Sequence, residues 1–208
     1  ESGSKLCENY SIRFARPCDF IIILDGREDS RIQVQERYEV LKEIYWESYY
    51  VDDPFIDPPA KDSPDFVNIN LAMKLGGIVP NPDENAIIGE NYETGKLRYG
   101  NANPESPEFD SLADYCFTED GAEIRIPWQL LNFSNPSEMM IHDDYYENYG
   151  IENLEIDRIY AGAVAEAEKD ETVRMSFFRL EGWGKNVTYH ERLKESYYIL
   201  RDYWNSLK

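Results

Sequence analysis

Histidine is nearly missing from this chain, with only His142 and His190 among 208 residues. The side chain most often used as a general acid or base is therefore scarce. There is also no GxSxG, no HExxH and no Gly-rich phosphate loop. Cysteine is scarce too. Cys7, Cys18 and Cys116 are odd in number and scattered, so they form no disulfide framework and no CxxC metal spacing, and they read as buried thiols. Basic residues are few, 21 against 41 acidic, for a net charge of -20. Such a field repels phosphate backbones and anionic membranes, which argues against a nucleic-acid partner. No run approaches the ~18–20 apolar residues that span a bilayer, so direct membrane insertion is not expected. The first residues also lack the apolar stretch of a signal peptide. Glycoside hydrolysis needs two carboxyls at a set separation across a cleft. Nothing in the sequence singles out one pair from 41 acidic residues. No catalytic residue is assigned, and a glycoside hydrolase is disfavoured.

What the chain does have is aromatic content, 14% of residues led by 16 Tyr, in an otherwise ordinary apolar fraction of 42%. Its length suits one domain with a proper core. The domain expected is 1–208, with 1–9 as a linker and 186–208 as a helix packed on the rest. The opening Glu-Ser-Gly-Ser reads as the edge of a longer protein.

Short alternating segments dominate. Tyr10–Arg16 alternates as a strand that Pro17 interrupts, and Asp19–Leu24 is a second strand. Asp25-Gly26 starts a turn that leads to a third strand at Arg31–Gln35. Tyr38, Leu41 and Tyr45 recur at helical spacing, which predicts a helix over Glu36–Tyr50. Pro54, Pro58, Pro59 and Pro64 exclude regular structure from Asp52 to Pro64. Phe66–Leu71 alternates again, and Gly76–Glu108 is a long excursion with a short strand near Leu97–Tyr99.

The strongest local signal is Ala122–Phe133. Ala122, Ile124 and Ile126 share one face of a strand, and Pro127 then ends it and opens a short helix. This strand is expected to lie inside a sheet, with Trp128 in the core. Ile156–Val164 and Thr172–Leu180 are two further strands. Thr188-Tyr189-His190-Glu191 is a capping box, and Tyr189, Leu193, Tyr197, Leu200 and Trp204 follow it as a helical stripe expected to dock on the domain. The fold class read from this pattern is mostly β: an antiparallel, jelly-roll-like β-sandwich with short helices and a C-terminal amphipathic helix.

On that architecture, Glu123-Ile124-Arg125-Ile126-Pro127-Trp128-Gln129-Leu130-Leu131 resembles the strand-to-helix step of DOMON-like domains and family 9 carbohydrate-binding modules. Ile156–Gly162 resembles the strand that follows it there. Tyr92–Leu97, Ser111–Asp114, Gly182–Lys185 and Tyr189–Leu193 are similar to the C-terminal part of large bacterial surface proteins. The family's opening strand pair and its two sugar-clamping Trp residues have no residue-by-residue match here. The resemblance implies a non-catalytic, carbohydrate-binding-like module of an extracytoplasmic, cell-surface protein. Its partner would be a cell-surface polysaccharide or exopolysaccharide. The alternative is a structural or protein-interaction domain that packs against other domains of its parent.

Two places combine aromatic faces for stacking with groups that orient hydroxyls. They are Tyr45 and Trp46 with Asp52 and Asp53, and Trp183 with Asn186. Each has a plainer reading, the first as a helix packed by its aromatic face and the second as a Gly-Trp-Gly turn. Asp143 and Asp144, beside His142, are the candidate metal ligands. Clustered loop carboxylates suit Ca2+, although the string lacks EF-hand spacing and equally reads as a solvated acidic loop.

Overall fold

The computed structural model describes residues 3–39, 57–74, 89–148, 151–165, 172–184 and 195–207. Within them the chain is mostly strand, in several small and largely antiparallel sheets, with 3-10 turns and one α-helix. The first strands are β1 (Ser4–Cys7), β2 (Ile12–Cys18), β3 (Phe20–Ile23) and β4 (Arg31–Gln35). Next come β5 (Phe66–Asn68), β6 (Asn70–Lys74), β7 (Gly89–Glu93), β8 (Tyr115–Phe117) and β9 (Ala122–Ile124). The C-terminal part holds β10 (Phe133–Asn135), β11 (Met140–His142), β12 (Asn153–Glu155), β13 (Arg158–Ala161), β14 (Thr172–Val173), β15 (Ser176–Arg179) and α1 (Glu195–Ser206). No closed barrel forms among the described residues.

The β3-β4-β5 sheet organises the core because its strands send alternate residues to opposite faces. Phe20, Val34 and Val67 lie opposite one another across the three strands. They enter the main cluster, where Ile32, Tyr38, Ile69, Leu97, Tyr115 and Tyr145 are buried. Ile21 and Phe66 point the other way, to a second cluster with Cys7, Phe14 and Val173. The second face of β4 is polar yet buried, so its amides need partners. Gln33 donates from Nε2 to Asn68 Oδ1 at 2.8 Å, and Gln35 donates to Ser63 O at 3.1 Å. Tyr38 and Tyr115 in the main cluster keep their rings inside and bond their tips, a use that suits a Tyr-rich chain. Tyr115 donates to Gly26 O at 2.7 Å and Tyr38 to His142 O at 2.5 Å.

The first strands differ from the expectation in two ways. The stretch expected as linker forms β1, with Ser4 and Cys7 fully buried, because β1 pairs antiparallel with β2. Pro17 does not interrupt β2. Ser4 pairs with Cys18 and Leu6 with Arg13, so Phe14 to Pro17 bulge opposite Lys5, where Pro17 owes the ladder no donor. Asp19 alone separates β2 from β3, and the chain passes there from one sheet to the next. The three thiols are free. Cys7 is buried, whereas Cys18 and Cys116 are only partly covered. Burial pushes the Cys18 thiol up to about 12, so it is inert at neutral pH.

Three later elements also correct the expectation. The helix expected from Glu36 begins as a 3-10 turn, Glu36–Tyr38, and its remainder, 40–50, lies outside the described residues. The strand from Ala122 does lead through Pro127 into a short helical turn, Trp128–Leu131, closed by Asn132 in the left-handed region at φ 55°. However, β9 is not internal: its only ladder partner among the described residues is β8, and Ile124 is 44% exposed. Ile126, past the end of the ladder, is the member of that face that reaches the core. Alternation defines a face, but it does not supply the element that covers it. The same holds for α1, whose Tyr197, Leu200 and Trp204 are 48%, 56% and 65% exposed instead of docked. An amphipathic stripe records a need for apolar cover without naming the surface that provides it.

Candidate functional site

The best-formed candidate surface begins at Pro127. Its fixed φ opens the 3-10 turn, and Leu130 and Leu131 on that turn pack against the main core. Trp128 at the head of the turn is left half-buried, its ring edge-on to buried Phe133 at 4.7 Å and 67°. Trp183 comes from the segment after β15 and lies between two glycines. Gly184 has φ 71°, and its N–H donates to Ser137 O at 3.0 Å. A Cβ on Gly182 would stand 2.6 Å from the same carbonyl oxygen. The glycines thus let 182–184 lie flat on the Ser137 turn. That contact brings the Trp183 indole to 6.4 Å from Trp128, with the planes inclined at 46°. Trp183 remains 53% exposed.

Polar groups occupy the turn against which 182–184 lies. Ser137 donates its hydroxyl to Asn135 Oδ1 at 2.7 Å, and Asn135 donates from Nδ2 to Glu138 Oε2 at 2.8 Å. Trp128 also borders an open cleft of about 440 Å³ with Ser111, Leu112, Asp114, Arg125 and Ile126. Arg125 is fixed there by donating from Nη2 to Ser111 O and Ala113 O at 2.8 and 2.7 Å. Two indole faces beside hydroxyl, amide, carboxylate and guanidinium groups complement a sugar, whose ring has an apolar C–H face and a polar rim.

A second cluster is internal. Arg37 and Asp144 are both buried, and Arg37 donates from Nε to Asp144 Oδ2 at 2.7 Å. Its Nη1 donates to Pro59 O at 2.7 Å, and the guanidinium lies 5.1 Å from the centre of the Tyr146 ring. Asn132 donates to Tyr38 O at 2.8 Å and joins the same set of segments. Tyr38 keeps its proton well above the ordinary tyrosine range, chiefly through burial and then the nearby Asp19 and Asp143 charges. Burial also lowers the His142 imidazole, whose Nδ1 is buried without a hydrogen-bond partner.

The expected site residues fall as follows. Trp183 is exposed and paired with Trp128. Tyr45, Trp46, Asp52, Asp53 and Asn186 lie outside the described residues. Asp144 is not a solvated loop carboxylate, since it is buried against Arg37, whereas Asp143 is partly exposed. Its Oδ1 accepts from Tyr146 N at 3.1 Å, and Asp143 Oδ1 accepts from Asp144 N at 2.7 Å. Ca2+ takes six to eight oxygens. The two carboxylates as arranged fit an arginine and a turn better than a cation, and no larger His, Cys, Asp and Glu group gathers among the described residues. Trp128 was missed because its position after an apolar strand reads as core. The Gly182 and Gly184 pair that carries Trp183 to it is a tertiary contact with no local signature. No protein-family model, curated protein or solved structure matches this chain.

Proposed function

We propose that this chain is a non-catalytic carbohydrate-binding module of a β-sandwich type, acting in an extracytoplasmic, cell-surface protein. The observation that supports it is the Trp128–Trp183 pair, two neighbouring indoles of which one is largely exposed, with Asn135, Ser137 and Glu138 on the turn against which 182–184 lies. At a net charge of -20 the chain favours neutral or amino-sugar polymers at this surface. Contact through ring faces and hydroxyls makes that binding weak and nearly insensitive to salt. Affinity electrophoresis and a glycan array test the reading. Trp183→Ala should abolish retention while leaving the thermal midpoint unchanged. Retention on no polysaccharide, or retention that survives the substitution, would sink it.

A structural or interaction module is the second reading, favoured by α1. Ile199, Leu200, Tyr203, Trp204 and Leu207 fall on one side of that helix and all are exposed. A glycan-negative protein whose α1 is protected from hydrogen exchange only when it is joined to its parent's other domains would support this reading over the first.

A further inference from the structure

Of the eleven arginines among the described residues, five pair with a carboxylate. Arg31 pairs with Glu93, Arg37 with Asp144, Arg98 with Asp110, Arg158 with Asp157 and Arg201 with Asp202. Arg16, Arg27, Arg125, Arg174 and Arg179 have no ion-pair partner among the described residues, and of these Arg16 and Arg179 are the two that gather at the β13–β15 ladder. They are also close to each other. Arg158 pairs directly with Arg179 across the β13–β15 ladder, and Tyr160 with Phe177 two residues along. Alternation puts all four side chains on one face. Arg16 reaches that face from β2, its guanidinium carbon 4.2 Å from the centre of the Tyr160 ring. The Arg158 guanidinium lies 5.3 Å from the Phe177 ring centre, and the two rings are 5.9 Å apart. Like charges placed directly opposite each other in a sheet are destabilising. Here three guanidiniums share one face of a strongly acidic chain, and among the described residues Asp157 is the carboxylate that pairs with one of them.

That carboxylate shows what the face can hold. Asp157 takes both forks of Arg158, at 2.7 Å from Nε and 2.6 Å from Nη2. A guanidinium stacked on a ring is fixed in orientation with its N–H edge outward, so it offers a fork for a carboxylate at little further ordering cost. Arg16 is held in this way, and Arg179 stands exposed beside the Arg158–Asp157 pair. Phe177, 54% exposed, adds an apolar surface between them. Repulsion from the rest of the chain is screened beyond a Debye length of about 8 Å at physiological salt, so local charge decides. A nucleic-acid duplex brings a charge every ~1.7 Å of its axis and would carry most of its phosphates past the arginines along a chain of net charge -20. A polymer with more widely spaced carboxylates would not.

We infer that Arg16, Arg158, Arg179, Tyr160 and Phe177 form a second contact surface, one that takes carboxylate-bearing sugars of a polyuronate kind. The choice of a glycan rests on the carbohydrate reading above, whereas the choice of a carboxylate rests on the arginines alone. The test uses short oligogalacturonates as the probe, titrated by calorimetry at low and high salt, beside a neutral glycan, a sulfated glycan, single-stranded RNA and an acidic peptide. Wild-type protein should bind the uronate in a salt-sensitive manner. The Arg16→Gln/Arg179→Gln double variant should weaken that binding by about tenfold or more, the worth of losing a charged hydrogen bond. Trp183→Ala should leave it intact. In wild-type protein, amide shifts caused by the probe should fall on 158–160 and 177–179, a readout that needs no variant. No uronate binding, unchanged binding in the double variant, shifts confined to 128–138 and 183, or tighter binding of the acidic peptide, of a sulfated glycan or of single-stranded RNA would each overturn the inference. Loss of neutral-glycan binding in Trp183→Ala alone reports only on the Trp128–Trp183 surface, so the two failures are distinguishable.

Discussion

β4 and β15 invert the usual relation between composition and burial. β4 is Arg-Ile-Gln-Val-Gln, mostly polar, and four of its five residues are buried. β15 is Ser-Phe-Phe-Arg, half aromatic, and every residue is exposed. The difference lies in the neighbours. β4 has a strand on each side and an apolar cluster on one face, and the loop through Ala60 and Ser63 covers its glutamines on the other. β15 has one partner strand among the described residues, β13, and its side chains stay exposed. In this chain burial is a property of position among elements, and a strand's own apolar content does not settle it.

The largest expected effect is at the buried ion pair that ties the end of β4 to the segment after β11. Asp144→Ala leaves Arg37 charged and without its carboxylate in a buried site, and removing one partner of such a pair costs about 3–5 kcal/mol. Urea unfolding followed by tyrosine fluorescence measures it. The Arg37→Met/Asp144→Leu double variant should recover most of the loss, because burying two charges gains little over burying two apolar groups. A cost under about 1 kcal/mol for Asp144→Ala would mean that the pair is solvated and the covered side of the comparison is looser than drawn.

The comparison itself is tested by matched truncations. Ile32→Ala removes a fully buried side chain from β4 and should cost roughly 2–5 kcal/mol. Phe178→Ala removes a larger side chain from β15, yet at an exposed position it should stay within about 0.5 kcal/mol of wild type. Equal losses in the two variants would show that β15 is covered in solution.

These contrasts mark what the sequence could and could not convey. An apolar run placed β3, the Asp25-Gly26 turn placed β4, alternation placed β5, and the Pro127 step placed the Trp128 turn, because each follows from local sequence within a few residues. β1 was lost to its Ser and Gly flank, since its stability comes from pairing with β2. At Ile124 and along α1 the apolar face was legible, but its lack of cover was not, because cover depends on distant segments. The candidate surface divides in the same way. Trp183 stood out through its flanking glycines, whereas Trp128 read as core, and their meeting depends on the Ser137 carbonyl that both glycines contact. Asp144 was noticed as an acid, and its partner lies 107 residues away.

The smallest expected effect is at α1, and it bears most directly on the open half of the molecule. A lone helix of this length is marginal in water, so the apolar side of α1 is a demand for cover that the described residues leave unmet. Leu200 and Trp204 lie one turn apart on that side, and both are more than half exposed. Leu200→Ser should therefore shift global stability by no more than about 0.5 kcal/mol, since no packing is lost. It should still reduce helicity in the last residues, because leucine is the better helix former by a few tenths of a kcal/mol. Circular dichroism and a thermal melt on the same sample separate the two quantities. A melt lowered by several degrees would place α1 against the sheets in solution, with Leu200 inward. An unchanged melt with less helix would leave α1 as a free face that only a further domain or partner can bury.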